Sequence, residues 1–103
     1  TRDRLRDERG FCCLGVACDL YGLATQTPWQ EEIGGFSFNG EDAELPDQVK
    51  VWLGLQDNAG GYHPVAGAWM ALAQHNDEGW SFEEIASLIE TEPVRLFLKR
   101  REI

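Results

Sequence analysis

The sequence predicts a compact α+β fold: a small antiparallel sheet, made of an N-terminal hairpin plus short strands, packed by about four short helices. Three observations carry it. Alternating residues flank the turn-forming stretch Asp7-Glu8-Arg9-Gly10. Apolar residues recur at helical spacing in the later segments. Glycine and proline breaks keep every element short. A chain of 103 residues is one domain by size, and 43% hydrophobic content separates it from disordered sequences.

Residues 3–13 read as a hairpin. Arg4-Leu5-Arg6 alternates, Asp7 to Gly10 supplies the turn, and Phe11-Cys12-Cys13 returns. Gly15 breaks the strand. Val16, Ala17, Leu20 and Leu23 recur at helical spacing, which predicts a helix over 14–23 with Gly22 near its end as a cap. Residues 24–44 are loop-rich. Within them Phe36-Ser37-Phe38 alternates ahead of the turn dipeptide Asn39-Gly40, so a short strand or hairpin is expected.

Leu45-Pro46-Asp47 opens a helix over 46–53, because proline in the first turn forfeits no intrahelical hydrogen bond. Val49, Trp52 and Leu53 form its apolar face and Gly54 ends it. Residues 62–65, Tyr62-His63-Pro64-Val65, read as an edge strand, since proline cannot serve a central ladder. A helix over 66–75 places Trp69, Leu72 and Ala73 on one face, and 76–79 is a turn. Ser81-Phe82-Glu83-Glu84 matches a capping box ahead of a helix over 82–90. Thr91-Glu92-Pro93 breaks that helix, and 91–103 is expected to be a basic helical extension of the single domain 1–103. The expected core comprises Cys13, Leu14, Val16, Leu20, Val49, Trp52, Leu53, Trp69, Leu72, Ile85, Leu88 and Ile89.

Charge narrows the partners. The formal net charge is −9, and between residues 10 and 94 Lys50 is the one Lys or Arg facing most of the 18 acids. Basic residues gather in 1–9 and 95–103. Such a body repels phosphates and favours basic partners, so nucleic acid is disfavoured as a ligand. A solvated surface that serves solubility alone is the plain alternative. No apolar run approaches the roughly 20 residues of a membrane helix, and no signal-peptide pattern opens the chain. Thr1 is an unusual first residue, which leaves open whether residues precede it.

The cysteines number three, all between positions 12 and 18. Cys12 and Cys13 are adjacent, and Cys18 lies about a turn and a half further along a helix, so a disulfide scaffold is not expected. A reducing cytoplasm is the natural compartment. Cys12 or Cys13 at a helix N-terminus could be a nucleophile with His63 or His75 as its base. Their apolar neighbours Phe11, Leu14 and Val16 favour inert, buried thiols instead. No CxxC or HxxxH pair is present, and no metal or cofactor is expected.

The acids Glu31, Glu32, Glu41, Asp42 and Glu44 lie among Trp29, Phe36, Phe38 and Tyr62. This mixture suits a protein interface with aromatic anchors and charged steering. Paired carboxylates could also do acid–base work, although no calcium-loop spacing is present. A third pattern, Gly79 to Ala86 followed by Arg95 to Arg101, has the outline of a helix-turn-helix with a basic second helix. Its apolar Leu96, Phe97 and Leu98 leave little surface to read bases.

Three blocks carry a family likeness. They are Arg4-Leu5-Arg6-Asp7-Glu8-Arg9-Gly10-Phe11-Cys12-Cys13-Leu14-Gly15-Val16-Ala17-Cys18-Asp19-Leu20; then Leu45-Pro46 with Val49, Trp52 and Gly54-Leu55; then Leu72, Asn76-Asp77 and Ser81-Phe82-Glu83-Glu84-Ile85-Ala86 with Leu88-Ile89-Glu90. The pattern, with its CCLGVxCDL motif, resembles small uncharacterised proteins of tailed bacteriophages and prophages. Those proteins usually begin with a Trp- and Leu-bearing helix ahead of the hairpin and end near position 90. The basic tail departs from that pattern. The resemblance implies a setting, a phage accessory protein in the host bacterial cytoplasm, and no activity. The expected function is binding of a host protein, with inhibition of a defence or nucleic-acid-handling system as the natural outcome. The competing expectations are a nucleotide-signal sponge or cysteine hydrolase, and a helix-turn-helix module. Self-association into a homo-oligomer stays open.

Overall fold

A computed structural model describes residues 3–64, 69–93 and 95–97. The chain folds as a small α+β unit, as its patterning predicts. Strands β1 (Arg6–Asp7) and β2 (Gly10–Phe11) form the N-terminal hairpin. Helix α1 (Cys13–Thr25) follows directly, then strands β3 (Gln30–Glu32) and β4 (Gly35–Ser37). Helix α2 (Asp47–Leu53), strands β5 (Gly61–Tyr62) and β6 (Met70–Ala71), and helices α3 (Leu72–Asp77) and α4 (Phe82–Glu90) complete it.

The first four strands make one antiparallel sheet in the order β2-β1-β4-β3. Strand β3 lies in the stretch expected to be loop; Gln30, Glu31 and Glu32 are all exposed, so no apolar alternation announces it. The expected strand at 62–65 does not join this sheet. It is shortened to β5, which pairs with β6 in a separate ladder through Gly61↔Ala71 and Tyr62↔Met70. Residues 65–68 of the expected strand and helix lie outside the described residues. The helix expected over 66–75 begins only at Leu72, because Met70 and Ala71 are used as strand.

Two helix ends follow their sequence signals. Gly54 caps α2 in a left-handed conformation, its N–H reaching the Lys50 and Val51 carbonyls. Ser81 and Glu84 form the expected capping box of α4. Helix α1 differs. It runs on to Thr25 and is capped by Gln26, so Gly22 lies inside it and is buried. A Cβ at Gly22 would stand 2.6 Å from the Thr27 carbonyl oxygen and 3.2 Å from the Phe38 ring. Gly15 is likewise helical, with the Leu5 carbonyl pressed against the place of a side chain.

The core gathers Leu5, Leu14, Cys18, Phe38, Leu45, Val49, Leu72, Ile85 and Leu96 from every part of the chain. Four expected core residues are corrected. Val16 and Leu20 face outward, because α1 buries Leu14, Gly15, Cys18 and Gly22 instead. Trp52 is 48% exposed and packs edge-to-face against Tyr21. Trp69 is 53% exposed and rests against His63 and the backbone of Gly61. Cys13, Leu53, Leu88 and Ile89 are half-buried around the core.

Little of the expected C-terminal helix falls within the described residues. Arg95 and Leu96 form a turn, and Phe97 bridges to Leu55. Leu96 is fully buried, and its carbonyl accepts from the Gln56 N–H at 3.0 Å. The burial of Leu96 makes this stretch part of the core at positions where a helical extension was expected.

Candidate functional site

Strand alternation sorts the main sheet into two faces. On one face Gly35 and Ser37 turn inward and are buried. On the other, Phe11 opposes Arg6, Arg6 opposes Phe36, and Phe36 opposes Glu31. Directly opposed residues share a face, so Phe11, Arg6, Phe36 and Glu31 form one row across the strands. The Arg6 guanidinium lies 3.9 Å from the Phe36 ring centroid, 5.1 Å from that of Phe11 and 5.5 Å from that of Trp29. Each distance is within cation–π range. Trp29 is fixed by an indole N–H donated to Asp19 Oδ1 at 3.1 Å and by edge-to-face packing on Phe38.

On the opposite face, that of Gly35, two acids converge on Arg4. Arg4 Nη2 lies 3.7 Å from Glu32 Oε1, and Arg4 Nη1 lies 3.8 Å from Asp42 Oδ2. The Leu5 N–H donates to the Asp42 carbonyl at 2.6 Å, which ties the 41–44 loop to the hairpin. Glu31, Glu32, Glu41, Asp42 and Glu44 are all exposed. At the tip of the β3–β4 hairpin Ile33 is fully in solvent.

The nine expected binding residues therefore divide. Trp29 and Phe36 are half-buried beside the exposed acids. Phe38 and Tyr62 are core residues and present no surface: Phe38 fills the space under α1, and the Tyr62 hydroxyl is hydrogen-bonded to His75 Nε2. Glu44 lines a cleft of about 210 Å³ with Asp3, Arg4, Cys12, Asn76 and Asp77. In that cleft one cation faces three carboxylates, an arrangement that repels a phosphate ligand. Arg6 and Phe11 were not among the expected site residues. Their signal was the alternation of Arg4-Leu5-Arg6: once Leu5 is inward, Arg6 faces out on the same side as its cross-strand partners.

The thiols serve the junction between hairpin and helix. Cys12 is the N-cap of α1, its Sγ accepting from the Gly15 N–H at 3.3 Å. The Cys13 N–H donates to Asn76 Oδ1 at 3.0 Å, and its Sγ donates to the Leu72 carbonyl at 3.6 Å. All three cysteines are free. Burial pushes the Cys13 and Cys18 thiols up to about 12, and Cys12 is raised for the same reason. These thiols stay protonated near neutral pH, which removes the activation a cysteine nucleophile requires. His63 packs edge-on against Trp69, and His75 is buried between Tyr62 and a stacked Trp80. Neither histidine is hydrogen-bonded to a cysteine among the described residues. None of these described residues forms a group of three or more His, Cys, Asp or Glu placed to hold a metal ion. No helix among them is long and apolar enough to cross a membrane.

A family model described as "Domain of unknown function (DUF8296)" matches residues 1–93. That span covers most of the chain, which belongs to this family. No curated protein and no solved structure matches it.

Proposed function

We propose that this member of the DUF8296 family is a phage accessory protein that acts by binding a host protein in the bacterial cytoplasm. The surface it uses is the outer face of the β2-β1-β4-β3 sheet together with the acidic 41–44 loop. One observation carries the reading: exposed Glu31 stands in register with half-buried Phe36, Arg6 and Phe11, and on the other side of the sheet Arg4 holds the exposed acids Glu32 and Asp42 together. A carboxylate-rich surface of this kind competes for a groove that otherwise takes phosphates. Inhibition of a defence or nucleic-acid-handling protein is the outcome that fits. The raised thiols and the acid-lined cleft support this reading over a cysteine hydrolase or a nucleotide sponge.

The test is an affinity pull-down from bacterial lysate at low and high salt, run beside a nucleotide-binding screen. A partner lost at high salt, and lost again on reversing Glu31, Glu41 and Asp42 to Lys, is the expected result. Recovery of a bound nucleotide with no protein partner sinks the reading.

A further inference from the structure

Arg4 and Lys50 each meet a carboxylate, Arg4 through Glu32 and Asp42 and Lys50 through Asp47. The Arg6 guanidinium is held against three aromatic rings and makes no hydrogen bond or ion pair among the described residues. In a chain with 18 acids and nine Lys or Arg, that is a specific arrangement. At 3.9 Å from the Phe36 ring centroid the guanidinium is in cation–π contact, and its N–H donors form a planar fork. A planar acceptor pair, a carboxylate, matches such a fork with two parallel hydrogen bonds. Phosphate polymers fit worse, because the surrounding body is acidic.

The row also fixes what lies beside that carboxylate. Glu31 is in register with Arg6 through Phe36, so the two charges stand two strand spacings apart, roughly 10 Å. Phe36 lies between them. We propose that this row is the specificity element of the partner site: Arg6 takes a carboxylate of a partner protein, and Glu31 takes a Lys or Arg of the same partner roughly 10 Å away. A helix laid across the strands offers that pair at positions i and i+7, about 10.5 Å apart. Apolar residues between them pack on Phe36 and Trp29. The aromatic and Arg composition is that of an interface hot spot. This inference rests on the protein-binding reading above and adds the partner's charge pattern to it.

The experiment is selection of a random peptide library on the immobilised full chain. Enriched peptides are expected to carry Asp or Glu with Lys or Arg seven residues away. Arg6→Lys keeps the charge and loses the planar fork, and it should weaken them about tenfold or more. Glu31→Lys lies on an exposed strand and keeps the fold; it should weaken the same peptides and, on reselection, favour an acid at the second position. If Arg6→Lys disturbs folding, as seen by NMR dispersion, the Glu31→Lys reselection decides alone. Enriched peptides indifferent to both variants, or lost only with Leu20→Glu on the far helix face, overturn the proposal. Uniformly basic peptides lost with Glu41→Lys and Asp42→Lys but not with Arg6→Lys overturn it while the acidic-surface reading stands. No enrichment at all overturns both.

Discussion

Helices α1 and α4 both carry apolar residues at helical spacing, yet only α4 buries the face its pattern points to. In α4 the stripe Ile85, Leu88, Ile89 turns inward, with Ile85 fully packed. In α1 Val16, Leu20 and Leu23 turn outward, Leu20 at 54% and Leu23 at 74% exposure, while Leu14, Gly15, Cys18 and Gly22 face the core. The difference lies in what each helix packs against. Helix α4 offers charged residues on its remaining sides, so hydrophobicity alone selects the face. Helix α1 is apolar almost all round, with Asp19 its single charge. Periodicity cannot choose there, and close approach of backbone to backbone decides. Small residues let the hairpin come in at Leu5 and let Phe38 slide beneath.

The largest expected effect breaks that approach. Gly15→Ala places a Cβ 1.8 Å from the Leu5 carbonyl oxygen, which is backbone and cannot swing aside. A loss of about 4 kcal/mol, or failure to fold, is expected. Urea unfolding of the variant measures it. Stability within about 0.5 kcal/mol of the parent would show that α1 is held by its outward side chains after all. The matching change on α4, Ile85→Ala, removes a fully packed side chain and should cost about 3 kcal/mol. A markedly smaller value would mean that α4 is peripheral, and the contrast between the two helices would lose its second half.

The thiols sharpen the comparison by pH. Cys18 lies on the buried side of α1 and Cys13 at its start, and burial raises both from 9.0 to about 12. A thiol whose folded value is raised keeps the native state favoured below the unfolded value and withdraws that contribution as pH rises through the window from 9 to 12. Unfolding free energy should therefore be flat in this respect from pH 7 to 8 and fall above pH 9. A double variant, Cys13→Ala with Cys18→Ala, should be less stable at neutral pH and show a shallower alkaline decline. An unchanged decline assigns the alkaline loss to other groups, Tyr62 first among them, since burial raises its hydroxyl too.

Much of this fold was legible in the sequence where a residue has one local job. Gly54 ends α2, Ser81 and Glu84 cap α4, and Asn39-Gly40 turns the chain between Phe38 and Glu41. Strand β3 was not legible, because it is an exposed edge whose acids follow solvent and not a core. The candidate site was half legible. Its acids were visible as composition, but their meeting at Arg4 depends on β4 lying beside β1, a pairing between segments that lie far apart in sequence. Phe38 and Tyr62 were misplaced for a related reason: an aromatic among acids looks the same in sequence whether it anchors a partner or fills the space under a helix.

The smallest expected effect tests the outward face of α1 directly. Leu20→Ser and Leu23→Ser replace large apolar side chains that lie mostly in solvent. If the small-residue face holds the helix, each change should shift stability by no more than about 0.5 kcal/mol, the usual range for surface positions. The serine lowers helix propensity slightly, and apolar surface that is in solvent before and after unfolding adds little either way, so the magnitude is the test. A cost of about 2 kcal/mol or more from either change would match a buried leucine. It would mean that Val16, Leu20 and Leu23 are covered in solution, and that the face which periodicity favours is buried by association.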